Sequence, residues 1–285
     1  VSGYGEKGPD KDLPGFDFTA FYARGGILGP LRDKNSLPML TVQGFGDHQV
    51  AMNLAAGVLA ALFKAKMTGE GDHVVVSLFH SAIWDISLML QASQYGADST
   101  QYPMERWKLG NPLVLCYETA DGQWLQIAMP QYDRHYPILM NAMGYPELAD
   151  DARYYPQKNL IPNREEFSAW ITAEFKKKTC DEWCKLLDAN DLPYAIAQEW
   201  DSLLEDKQAW ASDCFYEMSY SNGNKRTLVR PPVLFDQMGI PPYERGPYLG
   251  EQTKDILGEL GYSAEAIDEL IKSGAAIDMD PALRD

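Results

Sequence analysis

Between residues 48 and 95 the chain runs helix, glycine stop, β-branched run, helix, and that order constrains the fold more than any other feature. Val50, Leu54, Val58 and Leu62 recur at helical spacing, so a helix is predicted over about 48–67. Ala51, Ala55, Ala56, Gly57, Ala60 and Ala61 leave one side of it thin, which suits close packing on a sheet or a second helix. Thr68-Gly69-Glu70-Gly71 ends it, because glycine readily takes the left-handed conformation that stops a helix. Residues 72–79 (DHVVVSLF) carry the β-branched run expected of a buried strand, and helical periodicity returns over 80–95. Such alternation predicts an α/β domain with a parallel sheet.

After residue 110 the texture changes. Two short strand-like runs, 116–119 and 124–129, flank Asp121-Gly122, a pair suited to a hairpin turn. Helices are predicted over 133–143, 164–178 and 180–189, and a short strand over 193–197. The tail passes through Arg230-Pro231-Pro232 and Ile240-Pro241-Pro242 into helices at 253–260 and 264–273, the last launched by Ser263. The expected organisation is a large domain over 1–110, a smaller α+β domain over 111–205, and a segment 206–285 that returns to the large domain. Residues 19–22 are expected to form a short helix within an otherwise loop-rich opening.

A chain of 285 residues can bury a substantial core, and 45% apolar with 23% charged residues is a globular balance. The net charge of −16 argues against nucleic acid or an anionic membrane as main partner, since both require a positive field. No stretch of about 18 apolar residues is present, so no membrane span is expected. Four cysteines in so long a chain suggest a reducing, cytoplasmic setting. Cys180 and Cys184 share a helix face, but no histidine completes zinc-type spacing, so no metal site is expected.

Gly3-Tyr4-Gly5-Glu6-Lys7-Gly8 matches the glycine pattern of dinucleotide sites, but Pro9 and Pro14 follow where that mechanism needs a helix N-terminus. A turn lining some other pocket is the better reading. Gln43-Gly44-Phe45-Gly46-Asp47-His48 places two glycines ahead of an aspartate at a loop-to-helix junction. Asp47 is either a helix N-cap or a carboxylate held close to a substrate, with Gly44 and Gly46 N–H groups free to steady an oxyanion. His48 is expected to be structural or supporting, because neighbours on an opening helical turn point apart. Met104-Glu105-Arg106-Trp107-Lys108 is either a solvated linker or a cationic-aromatic pocket wall.

Taken together, several stretches resemble the class III CoA-transferases, the family of formyl-CoA, carnitine and 2-hydroxyacid CoA-transferases. They are Val1-Ser2-Gly3-Tyr4-Gly5 through Gly8-Pro9, Pro14-Gly15-Phe16-Asp17, Gly25-Gly26, Gly46-Asp47, Thr68-Gly69-Glu70-Gly71, Val76-Ser77-Leu78, and Tyr248-Leu249-Gly250-Glu251-Gln252-Thr253. The wording around Gly44–Gly57 and Gly15–Phe21 is similar to the 2-hydroxyacid branch, which handles 2-hydroxyisocaproate and phenyllactate.

The resemblance implies an α/β fold with a Rossmann-like large domain, whose front part would precede Val1, and an interlocked homodimer. A chain without that front part is expected to leave a core edge exposed. The resemblance also implies that Asp47 is the nucleophile and that Asp17 lies near the same site. Substrate or CoA contacts would then come from Gly44, Gly46, Phe16, Phe45 and His48, with Phe18 and Phe21 adding to an aromatic wall. Acyl-CoA would be a substrate, with no permanently bound cofactor, and the partners would be small molecules. The 2-methylacyl-CoA racemases share the scaffold but place a histidine where this chain has Phe16, which cannot take a proton from carbon. A non-catalytic acyl-CoA-binding remnant is the alternative from another class.

Overall fold

The computed structural model describes residues 1–39, 41–96, 101–220, 223–237 and 243–280. The Ile240-Pro241-Pro242 stretch lies outside them. The chain divides into two compact units, Val1–Ala197 and Gln198–Asp285.

The first unit holds two hydrophobic clusters. The smaller gathers Ala20, Phe21, Tyr22, Val50, Leu78 and Ala82, with Tyr4, Ile27, Leu28 and Val76 around them. It joins a π-helical turn, Asp17–Ala23, to the long helix α1, Phe45–Thr68, and to α2, Leu78–Asp85. The stretch predicted as a helix over 80–95 is split. After α2 the backbone breaks at Ile86 (φ −97°, ψ 14°), and α3, Ser87–Ala92, follows.

Residues 72–79 do not form the predicted buried strand. Ser77 makes a single parallel bridge to Ser2, supported by bonds from Ser2 N–H to the Val76 carbonyl and from Leu78 N–H to the Ser2 carbonyl. A strand needs a neighbour along its length to satisfy its N–H and C=O groups, and among the described residues its backbone bonds to another part of the chain run only to Ser2 and Gly3. The parallel pairing among the described residues is limited to this bridge and one between Asp33 and Met104.

Helix α1 differs from expectation as well. Only Gly46 and Val50 are buried, while Met52, Leu59, Leu62, Phe63 and Met67 are exposed. Its thin side meets Val74 at Gly57, where a Cβ would lie 2.7 Å from Val74 Cγ1. Contrary to the sequence reading, the helix is long and apolar enough to cross a membrane by length and composition. The sequence count missed this because scattered Asn, Gly and Lys interrupt the apolar run without lowering its mean hydropathy to that of a surface helix.

The larger cluster builds the α+β part. Strands β1, Cys116–Glu118, β2, Trp124–Ile127, and β3, Tyr194–Ile196, form an antiparallel sheet in the order β1-β2-β3. Tyr117 pairs with Leu125, and Gly122 turns the hairpin at φ +78° as Asp121-Gly122 predicts. Helices α4, Tyr132–Met143, α5, Gln157–Leu160, α6, Arg164–Phe175, and α7, Cys180–Ala189, surround its core. Tyr117 stacks on Phe175 at 4.5 Å, Phe175 meets Trp183 at 4.5 Å, and Trp183 Nε1–H donates to the Phe175 carbonyl at 2.8 Å. Thr179 caps α7 by accepting the Glu182 N–H, and the Glu182 carboxylate accepts the Thr179 N–H in return.

In the second unit α8, Trp200–Leu204, and α9, Lys207–Ala211, lead into an antiparallel hairpin absent from the sequence reading. Its strands are β4, Phe215–Ser219, and β5, Lys225–Val229, with Glu217 opposite Thr227. The signal was present in Asn222-Gly223 between alternating runs, and Gly223 has φ +81°. Helices α10, Thr253–Glu259, and α11, Ala264–Lys272, close the unit, with Ser263 accepting the Ala266 N–H as the expected N-cap.

Candidate active site

The Gly44–His48 turn opens α1. Gly44 is the cap residue at φ +82°, a conformation that costs other residues more than glycine, and Asp47 is third along the helix, so it is not the N-cap. Its carboxylate is exposed and makes no hydrogen bond or ion pair among the described residues. The His48 N–H closes the first helical turn on the Gly44 carbonyl at 2.9 Å, and its exposed ring has no partner among those residues.

Asp17 organises this turn. Its side chain is 5% exposed, and its two oxygens accept one backbone N–H each: Oδ2 from Gly44 at 2.7 Å and Oδ1 from Gly46 at 2.9 Å. The two glycine amides expected to be free are therefore committed, because a buried carboxylate must be satisfied by donors inside the protein. The first-turn N–H groups of Phe45 and Asp47 have no acceptor among the described residues, as helix geometry leaves them.

Gly46 has no room for a side chain. A Cβ there would lie 2.3 Å from Phe21 Cγ and 2.4 Å from Asp17 Oδ1. Phe21 is therefore the floor of the turn, 1% exposed in the small cluster, and not part of an open aromatic wall. Phe16 and Phe45 are the reverse, at 67% and 63% exposed, and Phe18 is partly open. Phe45 sits in the chain between the two glycines that bind Asp17, and Phe16 immediately precedes Asp17. Tyr22, beside Asp17, is buried, and that burial together with the carboxylate's charge pushes its hydroxyl above the ordinary range.

Two further side-chain pairs tie α1 to α2. Gln49 Nε2–H donates to Asp85 at 3.1 Å, and Asn53 Nδ2–H donates to Ser81 Oγ at 2.9 Å. Burial holds the Asp85 carboxyl above its usual range against the opposing Gln49 bond. Gln49, Asn53, Ser81 and Asp85 were not singled out from sequence, and Phe21 was expected in an aromatic wall. The four-residue spacing of Asp17 and Phe21, which puts both on one helical face, is the signal that could have placed it beneath the turn.

The structure brings Asp17, Gly44 and Gly46 into contact and leaves Asp47, His48, Phe16 and Phe45 open around them. The Arg106–Lys108 segment lies elsewhere. Arg106 donates to the Cys116 carbonyl, and with Trp107 it lines a cleft of about 540 Å³ shared with Trp124, Glu165 and Lys176, so this segment walls a pocket, but not one that Asp17, Asp47 or the other residues of the Gly44–His48 turn line. Lys108 pairs with Glu105 at 2.5 Å. Cys180 and Cys184 are free thiols, and burial, with Cys184 adding to it, pushes Cys180 up to about 11. Among the described residues no group of three His, Cys, Asp or Glu side chains is placed to hold a metal ion.

The sequence profile of CoA-transferase family III matches residues 1–253. The chain belongs to that family. As a family III chain it is 48% identical over 273 residues to cinnamoyl-CoA:phenyllactate CoA-transferase of Clostridium sporogenes, covering 95% of this chain and 66% of the relative. It is 40% identical over 268 residues to (R)-2-hydroxy-4-methylpentanoate CoA-transferase of Clostridioides difficile, covering 94% and 66%. The chain thus spans 66% of the length of each of these relatives. A CAIB/BAIF family protein from Brucella suis has the same fold, with a TM-score of 0.74 at 21% identity over 91% of this chain and 66% of that one.

Proposed function

We propose that the protein moves coenzyme A from an acyl-CoA to a carboxylic acid, with Asp47 as the covalent nucleophile and a bulky 2-hydroxy acid as acceptor. The observation that carries this is the Asp47 carboxylate itself. It stands exposed, with no partner among the described residues, on a turn whose Gly44 and Gly46 amides are held by a second, buried carboxylate. The two relatives act, by name, on phenyllactate and on 2-hydroxy-4-methylpentanoate, both bulky 2-hydroxy acids.

In the proposed cycle an Asp47 oxygen attacks the thioester carbonyl of the donor, the C–S bond breaks, and an aspartyl-acyl anhydride and CoA thiolate form. The thiolate then attacks the aspartyl carbonyl, releasing the donor acid as carboxylate and leaving an Asp47-CoA thioester. The acceptor carboxylate repeats the sequence in reverse, takes the CoA, and frees Asp47. Each covalent state keeps the acyl group activated, so no other energy source enters. The oxyanion of each addition would face the Phe45 and Asp47 amides, which have no acceptor among the described residues, and not those of Gly44 and Gly46.

Exposed Phe16 and Phe45 support an apolar wall for the acyl group, and the benzylic ring at Phe16 has no atom able to accept a proton from carbon, as racemisation would require. A homodimer, with the apolar face of α1 inside its interface, and a reducing cytoplasm, with four free thiols, complete the proposal.

The test is peptide mass spectrometry of the full-length protein after incubation with an aryl-acyl-CoA and hydroxylamine. A hydroxamate on the Asp47 peptide, absent from Asp47→Asn, is the expected result. Turnover that persists in Asp47→Asn, or a label elsewhere, would sink the assignment.

A further inference from the structure

We propose that Asp17 is a positioning residue for Asp47, a buried carboxylate that clasps the Gly44–Gly46 turn and so sets the direction in which Asp47 leaves α1. The inference rests on Asp47 being the nucleophile.

Three observations carry it. Asp17 is almost fully buried, yet no Lys, Arg or His pairs with it among the described residues. Among the described residues its oxygens accept from the Gly44 and Gly46 N–H groups, at 2.7 and 2.9 Å, at the positive end of a 24-residue helix. The clasp spans 27 and 29 residues of sequence, so it joins two separate segments and does not merely cap its own turn. Finally, the fit is tight from both sides: Phe21 fills the space beneath Gly46, and a single added carbon at Gly46 would collide with both Phe21 and Asp17. A turn so bounded has one conformation, and Asp47 follows it by one residue.

Asp17 does not touch the reacting atoms in this reading. Its loss should therefore slow chemistry at Asp47 more than it weakens acyl-CoA binding, since an ångström of misplacement costs on the order of 100-fold in rate. Asn keeps one acceptor oxygen where Ala keeps none, so the two replacements should be graded.

The experiment is single-turnover formation of the Asp47-CoA thioester in full-length wild type, Asp17→Asn and Asp17→Ala, with acyl-CoA affinity measured on the same samples. Expected is a slowing of roughly 100-fold in Asp17→Asn and more in Asp17→Ala, with affinity held within about threefold. Wild-type rates in both variants would overturn the clasp, as would affinity and rate falling together. If the variants do not fold, amide hydrogen exchange on the wild type decides: slow exchange at Gly44 and Gly46 beside fast exchange at Phe45 supports the clasp, and fast exchange at all three overturns it. A wild type that never labels at Asp47 removes the nucleophile reading itself, and with it anything for Asp17 to position.

Discussion

Asp17 Oδ1 accepts the Gly46 N–H at 2.9 Å across 29 residues of sequence, and with the Gly44 N–H on Oδ2 it ties two glycines of the turn to a buried carboxylate. The same geometry denies Gly46 any side chain, because Phe21 and Asp17 occupy the volume a Cβ would need.

Gly46→Ala is therefore expected to push Phe21 or Asp17 aside. The overpacking should cost about 1–3 kcal/mol in urea unfolding and slow labelling of Asp47. Equal stability and equal labelling would show that the turn absorbs the extra carbon freely.

Phe16 and Phe45 stand open beside the clasp, while Phe21 does not. Replacing Phe16 and Phe45 together by Ala should lower kcat/KM for a bulky aryl 2-hydroxy acid by about 10- to 100-fold, and for a small acid far less, as expected for loss of apolar contact. Competition between the two acids in one reaction measures the ratio directly. An unchanged ratio would remove these rings from substrate selection.

In the α+β part, Trp183 fills the core and donates to the Phe175 carbonyl at 2.8 Å. Trp183→Ala should destabilise by about 3–5 kcal/mol through the cavity it leaves. Thr179→Ala, which removes the α7 cap, should cost only about 1 kcal/mol. Denaturant unfolding of both variants checks the order, and a cap loss as large as the core loss would contradict it.

Glu251 has its carboxylate bound by the Arg245 guanidinium at 2.7 and 2.8 Å and by the Tyr248 N–H at 2.7 Å, and the arginine first, then the amide, lowers it to about 2 from the ordinary 4.5. A depressed carboxylate contributes stability that is present above pH 4.5 and is lost as the pH falls through about 2. Carbon-detected NMR should show Glu251 titrating near pH 2, and Arg245→Met should move it back toward the ordinary value. A wild-type midpoint near 4.5 would show that the guanidinium fork does not hold in solution.

Local chemistry settled those elements whose causes lie within a few residues. The Asp121-Gly122 turn, the α7 helix with its Thr179 cap, and Ser263 launching α11 were all legible, since a positive φ or a side-chain cap needs no distant partner. The family was legible too, because its motifs run through the chain in one order. Tertiary structure decided the rest. Val74–Val76 have strand composition, yet among the described residues the one backbone bond to them comes from Ser2, and pairing there stops at the Ser2–Ser77 bridge. Phe21 and Phe16 are the same residue type five positions apart, and only packing against Val50 and Gly46 sends one into the core and leaves the other outside. Whether the amides of Gly44 and Gly46 are free or bound depends on a carboxylate 27 to 29 residues earlier, a distance over which residue spacing carries no signal and only the folded chain brings donor to acceptor.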